Sequence, residues 1–368
     1  MSIQVIEAAS LEETANPAHV AQAAGLRYVS DAIPGIRRER QGDEFVYIGT
    51  KGQPIRAEAE LKRIKSLGIP PAYTDVWICP LPNGHLQATA RDAKARKQYR
   101  YHVRWRAIRD ETKYNRMLDF GQALPKIRAR VEHDMGLAGL PRLKVLATVV
   151  RLLETTLIRV GNAEYARDNK SFGLTTMRDR HVEIEGTKIR FHFKGKSHKE
   201  HNIDLKDRRL AAIVKRCRDI PGQELFQYLD EDDQRQSIDS ADVNAYIHEI
   251  TGQDFTAKDF RTWAGTVVAA LALQEFGAFD TQSQAKKNIA QAIETASKRL
   301  GNTPAICRKC YVHPAVFEAY MDGTLLETLR QRAAQALTES LHALPPEEAA
   351  VIALLQERLA HEAQALEA

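Results

Sequence analysis

The stretch Leu300-Gly-Asn-Thr-Pro-Ala-Ile-Cys-Arg-Lys-Cys-Tyr311 joins two predicted helices. The segment before it has helical spacing, and Gly301 suits the left-handed conformation that ends a helix. Pro304 fits the first turn of a second helix, which would carry Tyr311 just after two cations. Neighbouring cations favour the phenolate and attract phosphate. Taken alone, Tyr311 fits more simply as a half-buried tyrosine on a basic helix, so its role depends on the rest of the chain.

Positive charge is concentrated in one part of the sequence. The chain has 368 residues and a net charge of +5, with 43% apolar and 27% charged residues, a composition typical of a globular protein of two or three domains. One short segment contains a single acid, Asp92, and eight cations: Arg91, Lys94, Arg96, Lys97, Arg100, Arg104, Arg106 and Arg109. The last thirty residues are acidic instead, so the pattern predicts a polyanionic partner held away from the C-terminus.

The cysteines and the apolar runs exclude several classes of protein. Four cysteines in a chain of this size do not make a disulfide framework, which favours a reducing cytoplasm. The first residues lack the basic and apolar regions of a signal peptide. Apolar runs such as 266–273 are too short to span a bilayer, so no membrane partner is expected.

Hydrophobic periodicity predicts an α+β protein of two domains. Residues 1–106 contain strand and hairpin patterns, which predict a small domain with a mixed β-sheet. Residues 107–368 are mainly helical, with separate helices expected at 105–117 and 119–135 and a buried helix at 142–159. A hairpin around Gly186 and a third strand near residue 202 predict a three-stranded sheet inside this larger domain.

The segment from Ala90 to His102 alternates cations with amide and phenol groups. Gln98, Tyr99 and Tyr101 are the uncharged members of this pattern. Such donors suit contact with a phosphate backbone and some reach into a groove, although a solvated basic strand would have the same composition.

Three cations of the second domain leave two interpretations open. Arg159 follows an apolar helix beside a glycine, where an arginine is either paired with an acid or directed at a ligand phosphate. Lys196 lies in a Gly-Lys turn, where most lysines are simply solvated. Arg261 falls in the first turns of a helix that Thr256 and Asp259 would cap, near N–H groups that favour an anion.

Five of these segments, in this order, resemble the type IB DNA topoisomerases of the short bacterial and poxvirus-like form. The resemblance rests on Arg-Asp-x-Lys-x-Arg-Lys-Gln-Tyr at residues 91–99, Arg-x-Gly at 159–161, the Gly-Lys turn at 195–196, Lys-Asp-Phe-Arg at 258–261 and Leu-Gly-Asn-Thr-Pro before Tyr311. It implies a small DNA-clamping domain followed by the catalytic fold shared with tyrosine recombinases. The residues that it assigns to catalysis are Arg159, Lys196, Lys258, Arg261, Asn302 and Tyr311, and those that it assigns to DNA contact are Arg91, Lys94, Arg96, Lys97, Gln98, Tyr99 and Tyr101.

The reaction that the resemblance implies explains these residue types. Tyrosine would attack a phosphodiester to form a 3′-phosphotyrosyl link, two arginines would stabilise the charge on the non-bridging oxygens, and a lysine would protonate the leaving 5′-oxygen. The link conserves the bond energy, so neither ATP nor another cofactor is expected, and His198 and His201 lack a third ligand that would make a metal site. Many family members have histidine where this chain has Asn302, which cannot ionise and so can only donate or accept hydrogen bonds. Ala95 replaces a glycine that is common in the family.

Two other classes of function remain as alternatives. A tyrosine recombinase shares the catalytic group, but its second arginine usually follows His-x-x, whereas Lys258 is in that place here. A DNA-binding protein without catalysis would not need the complete set of residues. The expected partner is therefore double-stranded DNA, clamped by a monomer in the cytoplasm at the nucleoid.

Overall fold

The structure is a computed structural model that describes residues 17–42, 44–93, 95–338 and 344–367, with side chains described outside 107–115, 332–338 and 361–367. The chain divides into two compact units, residues 1–113 and 114–368. The first is built on a sheet and the second is mainly helical with a small sheet, which confirms the predicted α+β fold class. Among the described helices, none combines the length and the apolar character that a bilayer crossing requires.

The first unit contains an antiparallel sheet of five strands in the order β2-β1-β3-β4-β5. Its core consists of small and branched apolar side chains, among them Ile36, Ile64 and Ile78. The elements are the helices Pro17–Ala23 and Glu58–Ser66 and the strands β1 (Ile36–Gln41), β2 (Glu44–Ile48), β3 (Thr74–Ile78), β4 (Leu86–Arg91) and β5 (Lys97–Tyr101).

Strand β1 was not predicted, although it lies inside the sheet between β2 and β3. Its sequence, Ile-Arg-Arg-Glu-Arg-Gln, has no apolar alternation, and only Ile36 is buried. Arg38 is nevertheless held within the fold: it donates to the carbonyl oxygens of Ile69 at 3.1 Å and Tyr73 at 2.6 Å, and its guanidinium lies 4.3 Å from the centroid of the Phe45 ring. The strand is therefore stabilised by contacts of a charged side chain that hydrophobic periodicity does not detect.

The second unit packs its helices around one large core and carries the predicted three-stranded antiparallel sheet, in the order β6-β7-β8. Its strands are β6 (Val182–Glu185), β7 (Lys188–Lys194), β8 (Glu200–Lys206), β9 (Gln227–Leu229) and β10 (Arg235–Ser237). Apart from the long helix described next, its α-helices are Arg142–Thr156, Ala163–Asn169, Arg208–Arg218, Ser240–Thr251, Ala257–Phe276, Gln282–Leu300, Pro304–Tyr311, Pro314–Met321, Leu325–Thr338 and Pro346–Glu367.

One helix, Val103–Met135, replaces the two that the sequence predicted on either side of residue 118. Phe120, Leu124, Ile127 and Val131 are all almost fully buried and fall on one face of it. This face continues past Pro125, which removes a backbone donor without ending the helix. The predicted break near residue 118 was wrong. The first half of the helix is rich in charged residues, so its sequence does not show the helical periodicity that the buried residues of the second half show.

The helix Pro346–Glu367 is fastened to this core by a group of charged and polar side chains. Arg128 donates to Glu348 through two nitrogens, at 2.8 and 2.9 Å, and to Glu154 at 2.6 Å. Trp263 also donates to Glu348, at 3.2 Å. A bidentate pair of this kind stabilises the contact and also fixes the relative orientation of the two side chains. The acidic end of the chain is therefore part of the second unit.

Candidate active site

A cleft of about 420 Å³ in the second unit collects residues from four separate parts of the chain. Its walls are the residues that follow the helix Arg142–Thr156, the turn between β7 and β8, the helix Ala257–Phe276 and the end of the helix Gln282–Leu300. Arg159, Lys196 and Arg261 all line it, although more than one hundred positions separate the first from the last.

Arg159 lies three residues beyond the end of its helix, because Leu157 has a left-handed conformation with a φ of 56° and ends the helix at Thr156. The prediction of a helix reaching residue 159 was therefore wrong. The guanidinium of Arg159 donates from Nη2 to Oδ1 of Asn302. In the Arg-x-Gly segment, Gly161 has a φ of +110°, a conformation that side chains rarely adopt.

Arg261 is the fifth residue of the helix Ala257–Phe276 and is only 4% exposed. It donates to the carbonyl oxygen of Leu157 and, at 2.7 Å, to that of Leu300. Its Nε is buried without a partner. Burial, and next the charge of Arg159, lower the pKa of Arg261 to about 10, so the side chain remains charged at neutral pH.

The interpretation of Arg159 as the partner of an acid does not fit this geometry. Among the described residues, neither Arg159 nor Arg261 forms an ion pair with a carboxylate. Arg261 donates to carbonyl and amide oxygens and also interacts with the side chain of Tyr311. Two cations without a counter-ion, one of them almost fully buried, are costly unless an anion joins them. Glu200 and Asp204, which also line the cleft, pair with other cations, so the two arginines favour an anion such as a phosphate.

Asn302 connects the two arginines. Its Oδ1 accepts from Arg159 and, at 3.5 Å, from Arg261, whereas its Nδ2 is buried without a partner. Gly301, with a φ of +64°, ends the preceding helix as predicted, and the N–H of Asn302 donates to the carbonyl oxygen of Ser297 at 2.9 Å. The side-chain Nδ2 of Asn302 and Nε of Arg261 are thus buried donors without a hydrogen-bond partner, and Asn302 itself is not among the residues that line the cleft.

Tyr311 is the last residue of the helix Pro304–Tyr311, which begins at proline as the sequence predicted. The ring is half-buried, and its centroid lies 5.2 Å from the guanidinium carbon of Arg261. Gly265 permits this approach, because a Cβ at that position would lie 2.3 Å from the carbonyl oxygen of Tyr311. Sequence reasoning missed Gly265, whose only signal is a glycine one turn after Arg261 inside a helix.

The two lysines differ in their relation to the cleft. Lys196 is exposed and lines it from the turn between β7 and β8, where Ser197 and His198 both have positive φ. Lys258 is exposed in the first turn of its helix and is not among the residues that line the cleft. The same turn is stabilised by Asp259, which accepts from the backbone N–H of Thr256 at 2.8 Å, as expected for a capped helix.

His201 is a cleft residue that the sequence suggested only as a weak metal ligand. Burial, and next the charge of Arg159, lower its pKa to about 4, so the imidazole is neutral at neutral pH. In the part of the chain that the structure describes, no group of three potential metal ligands forms. His201 alternates along β8 with Ile203 and Leu205, and all three are less exposed than their neighbours. This alternation is the signal that could have placed His201 on the inner face of the sheet.

In the first unit, strand β5 separates the predicted DNA-contact residues into two faces. Lys97, Tyr99 and Tyr101 are exposed on one face, and the two tyrosine rings stack with centroids 6.0 Å apart. Lys97 also pairs with Asp31 at 2.5 Å. This face offers phenol groups and a cation to a partner.

The other predicted contacts point to neighbouring carboxylates. Arg96 and Gln98 both donate to Asp92, at 2.8 and 3.1 Å, and Arg91 pairs with Asp75 at 3.2 Å. Ala95 has a left-handed φ of 58°, a conformation that accounts for the glycine common at this position in the family. Lys94 lies outside the described residues.

Comparisons with known proteins agree with this geometry. Residues 102–339 match the family described as the catalytic core of eukaryotic DNA topoisomerase I, and residues 44–92 match the N-terminal domain of bacterial DNA topoisomerase IB. The DNA topoisomerase 1B of Acanthamoeba polyphaga mimivirus is 32% identical over 298 residues, which are 79% of this chain and 89% of the viral protein.

Two poxvirus proteins are more distant relatives. The DNA topoisomerase 1 of Rabbit fibroma virus is 27% identical over 284 residues, or 73% of this chain and 84% of the relative. The DNA topoisomerase 1B of Vaccinia virus (strain Copenhagen) is 24% identical over 245 residues, or 65% and 73%. The core match over most of the chain and the identity to the mimivirus enzyme confirm the resemblance, and the chain belongs to the type IB DNA topoisomerases, with an N-terminal domain of the bacterial type.

Proposed function

We propose that this isomerase relaxes positive and negative supercoils by cutting one strand at the cleft, with Tyr311 as the nucleophile. The observation that carries this assignment is the grouping of Arg159 and Arg261 on Asn302, beside the ring of Tyr311, with no carboxylate partner for either arginine among the described residues. A DNA phosphate in that place would supply the missing negative charge.

The positions of the arginines fit the charge that the reaction develops. Attack by the Tyr311 phenol develops negative charge at the phosphate, close to the guanidinium of Arg261 beside the ring. The non-bridging oxygens gain charge in the pentacoordinate transition state, and fixed donors aimed at them lower its energy. The proposed donors are Arg159, which lines the cleft, and the two buried groups without a partner, Nε of Arg261 and Nδ2 of Asn302.

Lys196 is the proposed general acid. It lines the cleft from a turn, and its ammonium group can deliver a proton to the 5′-oxygen as the strand breaks. Lys258 is the second candidate, one turn before Arg261 and able to share the proton relay. The 3′-phosphotyrosyl link conserves the bond energy, so attack of the 5′-hydroxyl reseals the strand after rotation without ATP.

The first unit is proposed to hold the duplex. Residues 1–106 would form the DNA-clamping domain and 107–368 the catalytic domain, in a monomer that encloses DNA at the nucleoid of the cytoplasm. The exposed face of Lys97, Tyr99 and Tyr101 supports this assignment. The contacts proposed from the resemblance are Arg91, Lys94, Arg96, Lys97, Gln98, Tyr99 and Tyr101, and Arg96 would reach DNA only by leaving the buried carboxylate of Asp92.

Plasmid relaxation tests the proposal. The protein should relax supercoils of either sign in EDTA without ATP, on DNA without a defined recombination site, because arginine and lysine side chains supply the charge and the proton. A requirement for paired recombination sites would instead identify a recombinase, and binding without any change of topology would identify a non-catalytic DNA-binding protein. Either result would refute the proposed activity.

A further inference from the structure

The imidazole of His201 lies against two glycines that each precede a candidate catalytic residue. A Cβ on Gly195 would lie 2.8 Å from Cδ2 and Nε2 of the ring, and a Cβ on Gly301 would lie 2.7 Å from Cε1. The next residues after these glycines are Lys196 and Asn302. Different edges of one ring therefore contact the turn that bears the proposed general acid and the turn that bears the asparagine.

The ring is held in this position from its own sheet. It stacks on Phe193, its partner in the β7–β8 register, with centroids 5.0 Å apart and planes 12° from parallel. Phe193 is itself buried. The imidazole is neutral for the reason given above, so it adds no third charge beside Arg159 and Arg261.

The two turns that the ring contacts are not equally fixed. The Gly301 turn directly follows a long helix and is tied to it through the backbone bond from Asn302 to Ser297. The Lys196 turn is exposed, and backbone bonds such as that from the Gly195 N–H to the Lys199 oxygen at 2.8 Å hold it within itself. The imidazole of His201 therefore packs between the exposed Lys196 turn and the fixed Gly301 turn.

We propose that His201 is a positioning residue that sets the place of Lys196 relative to the phosphate site by spacing the two glycine turns. The proposal rests on the proposed role of Lys196 as the general acid. It does not require His201 to touch DNA. It predicts that changes at His201 affect proton delivery to the leaving oxygen more than stabilisation of the non-bridging oxygens.

Cleavage of two substrates separates these effects. In a duplex with sulfur at the bridging 5′ position, the cleaved strand leaves as a thiolate, which needs little protonation. In ordinary DNA, the leaving 5′-oxygen needs a proton from the general acid. A misplacement of about 1 Å can cost about a hundredfold in rate, so His201→Ala should slow single-turnover cleavage of ordinary DNA by about ten- to a hundredfold. His201→Ala should cleave the sulfur duplex at a rate within about threefold of the wild-type rate, a much smaller loss than the one expected on ordinary DNA.

A second variant tests the contact from the other side. Gly195 has a negative φ, so Gly195→Ala introduces the clash with the imidazole without backbone strain. It should show the same defect and the same rescue by sulfur. Combining it with His201→Ala removes the clash, so the double variant should cleave ordinary DNA no more slowly than His201→Ala alone. Losses that multiply in the double variant would refute the proposed contact.

His198→Asn is the matched control, since His198 is an exposed histidine of the same turn and asparagine tolerates its positive φ. It should cleave both substrates like wild type. Lys196→Ala tests the general acid itself: if sulfur does not selectively restore cleavage by Lys196→Ala, the general-acid assignment fails. Selective rescue of Lys196→Ala but an equal loss of His201→Ala on both duplexes would refute only the positioning role.

Discussion

The cations of the cleft occupy two contrasting environments. Arg261 is 4% exposed and fixed by two backbone carbonyls and the amide of Asn302, whereas Lys196 is exposed in a turn with two residues of positive φ. A group that stabilises developing charge is most effective when it is already in place, because no reorganisation is needed during the reaction. A proton donor must give up its proton and recover another, which an exposed ammonium can do. The difference therefore matches the two tasks that the proposed mechanism requires.

The largest effect should follow from removing the nucleophile that both kinds of cation serve. Tyr311→Phe keeps the ring beside Arg261 but has no oxygen to attack the phosphate. We expect relaxation and the covalent DNA adduct to disappear while duplex binding is retained. Denaturing electrophoresis of the enzyme with labelled DNA measures the adduct, and an adduct formed by the variant would remove Tyr311 from this role.

The next effect concerns the exposed cation. General acids contribute about 10²–10⁴ in rate, so Lys196→Ala should slow cleavage of ordinary DNA within that range. Most of the rate should return on the duplex with bridging sulfur. Single-turnover cleavage of the two substrates is the measurement, and Lys258→Ala is the control for the alternative acid. If Lys258→Ala is rescued and Lys196→Ala is not, the acid has been assigned to the wrong lysine.

The fixed cations should behave differently. Loss of one preorganised donor commonly costs about 10²–10³ in rate, and we expect Arg159→Ala to fall in this range. Sulfur at the leaving position should not restore it, because the proposed task of Arg159 is the charge on the non-bridging oxygens. Equal rescue of Arg159→Ala and Lys196→Ala on the sulfur duplex would show that the two environments do not correspond to two tasks.

The sequence predicted the elements of the site better than their contacts. The helices on either side of Gly301, the three-stranded sheet and the order of the five motifs were visible, because glycine, proline and apolar spacing are local signals. The close approach permitted by Gly265 and the position of His201 between two glycines were not, since they depend on segments brought together by folding. Strand β1 was missed for a related reason, as Arg38 is held by distant carbonyls.

The first unit also contains both a fixed and an exposed cation. Their difference predicts the smallest effect, a change in the salt dependence of DNA binding. The guanidinium of Arg96 pairs with the buried carboxylate of Asp92 at 2.6 Å, whereas Arg106 is exposed and pairs with no carboxylate among the described residues. The logarithm of the binding constant falls linearly with the logarithm of the salt concentration. Each phosphate contact that is lost should make this slope shallower by about one.

Arg106→Gln should therefore reduce the slope by about one, and Arg96→Gln should leave it unchanged, because Arg96 stays with Asp92 whether or not DNA is bound. Wild-type binding itself should weaken steeply with salt, since the basic segment would displace counterions from the DNA backbone. Titrations of labelled duplex at several salt concentrations, made with Tyr311→Phe to prevent cleavage, give the three slopes. A lower slope for Arg96→Gln would mean that this arginine leaves Asp92 for the DNA, and equal slopes for Arg106→Gln and wild type would remove Arg106 from the DNA-binding surface.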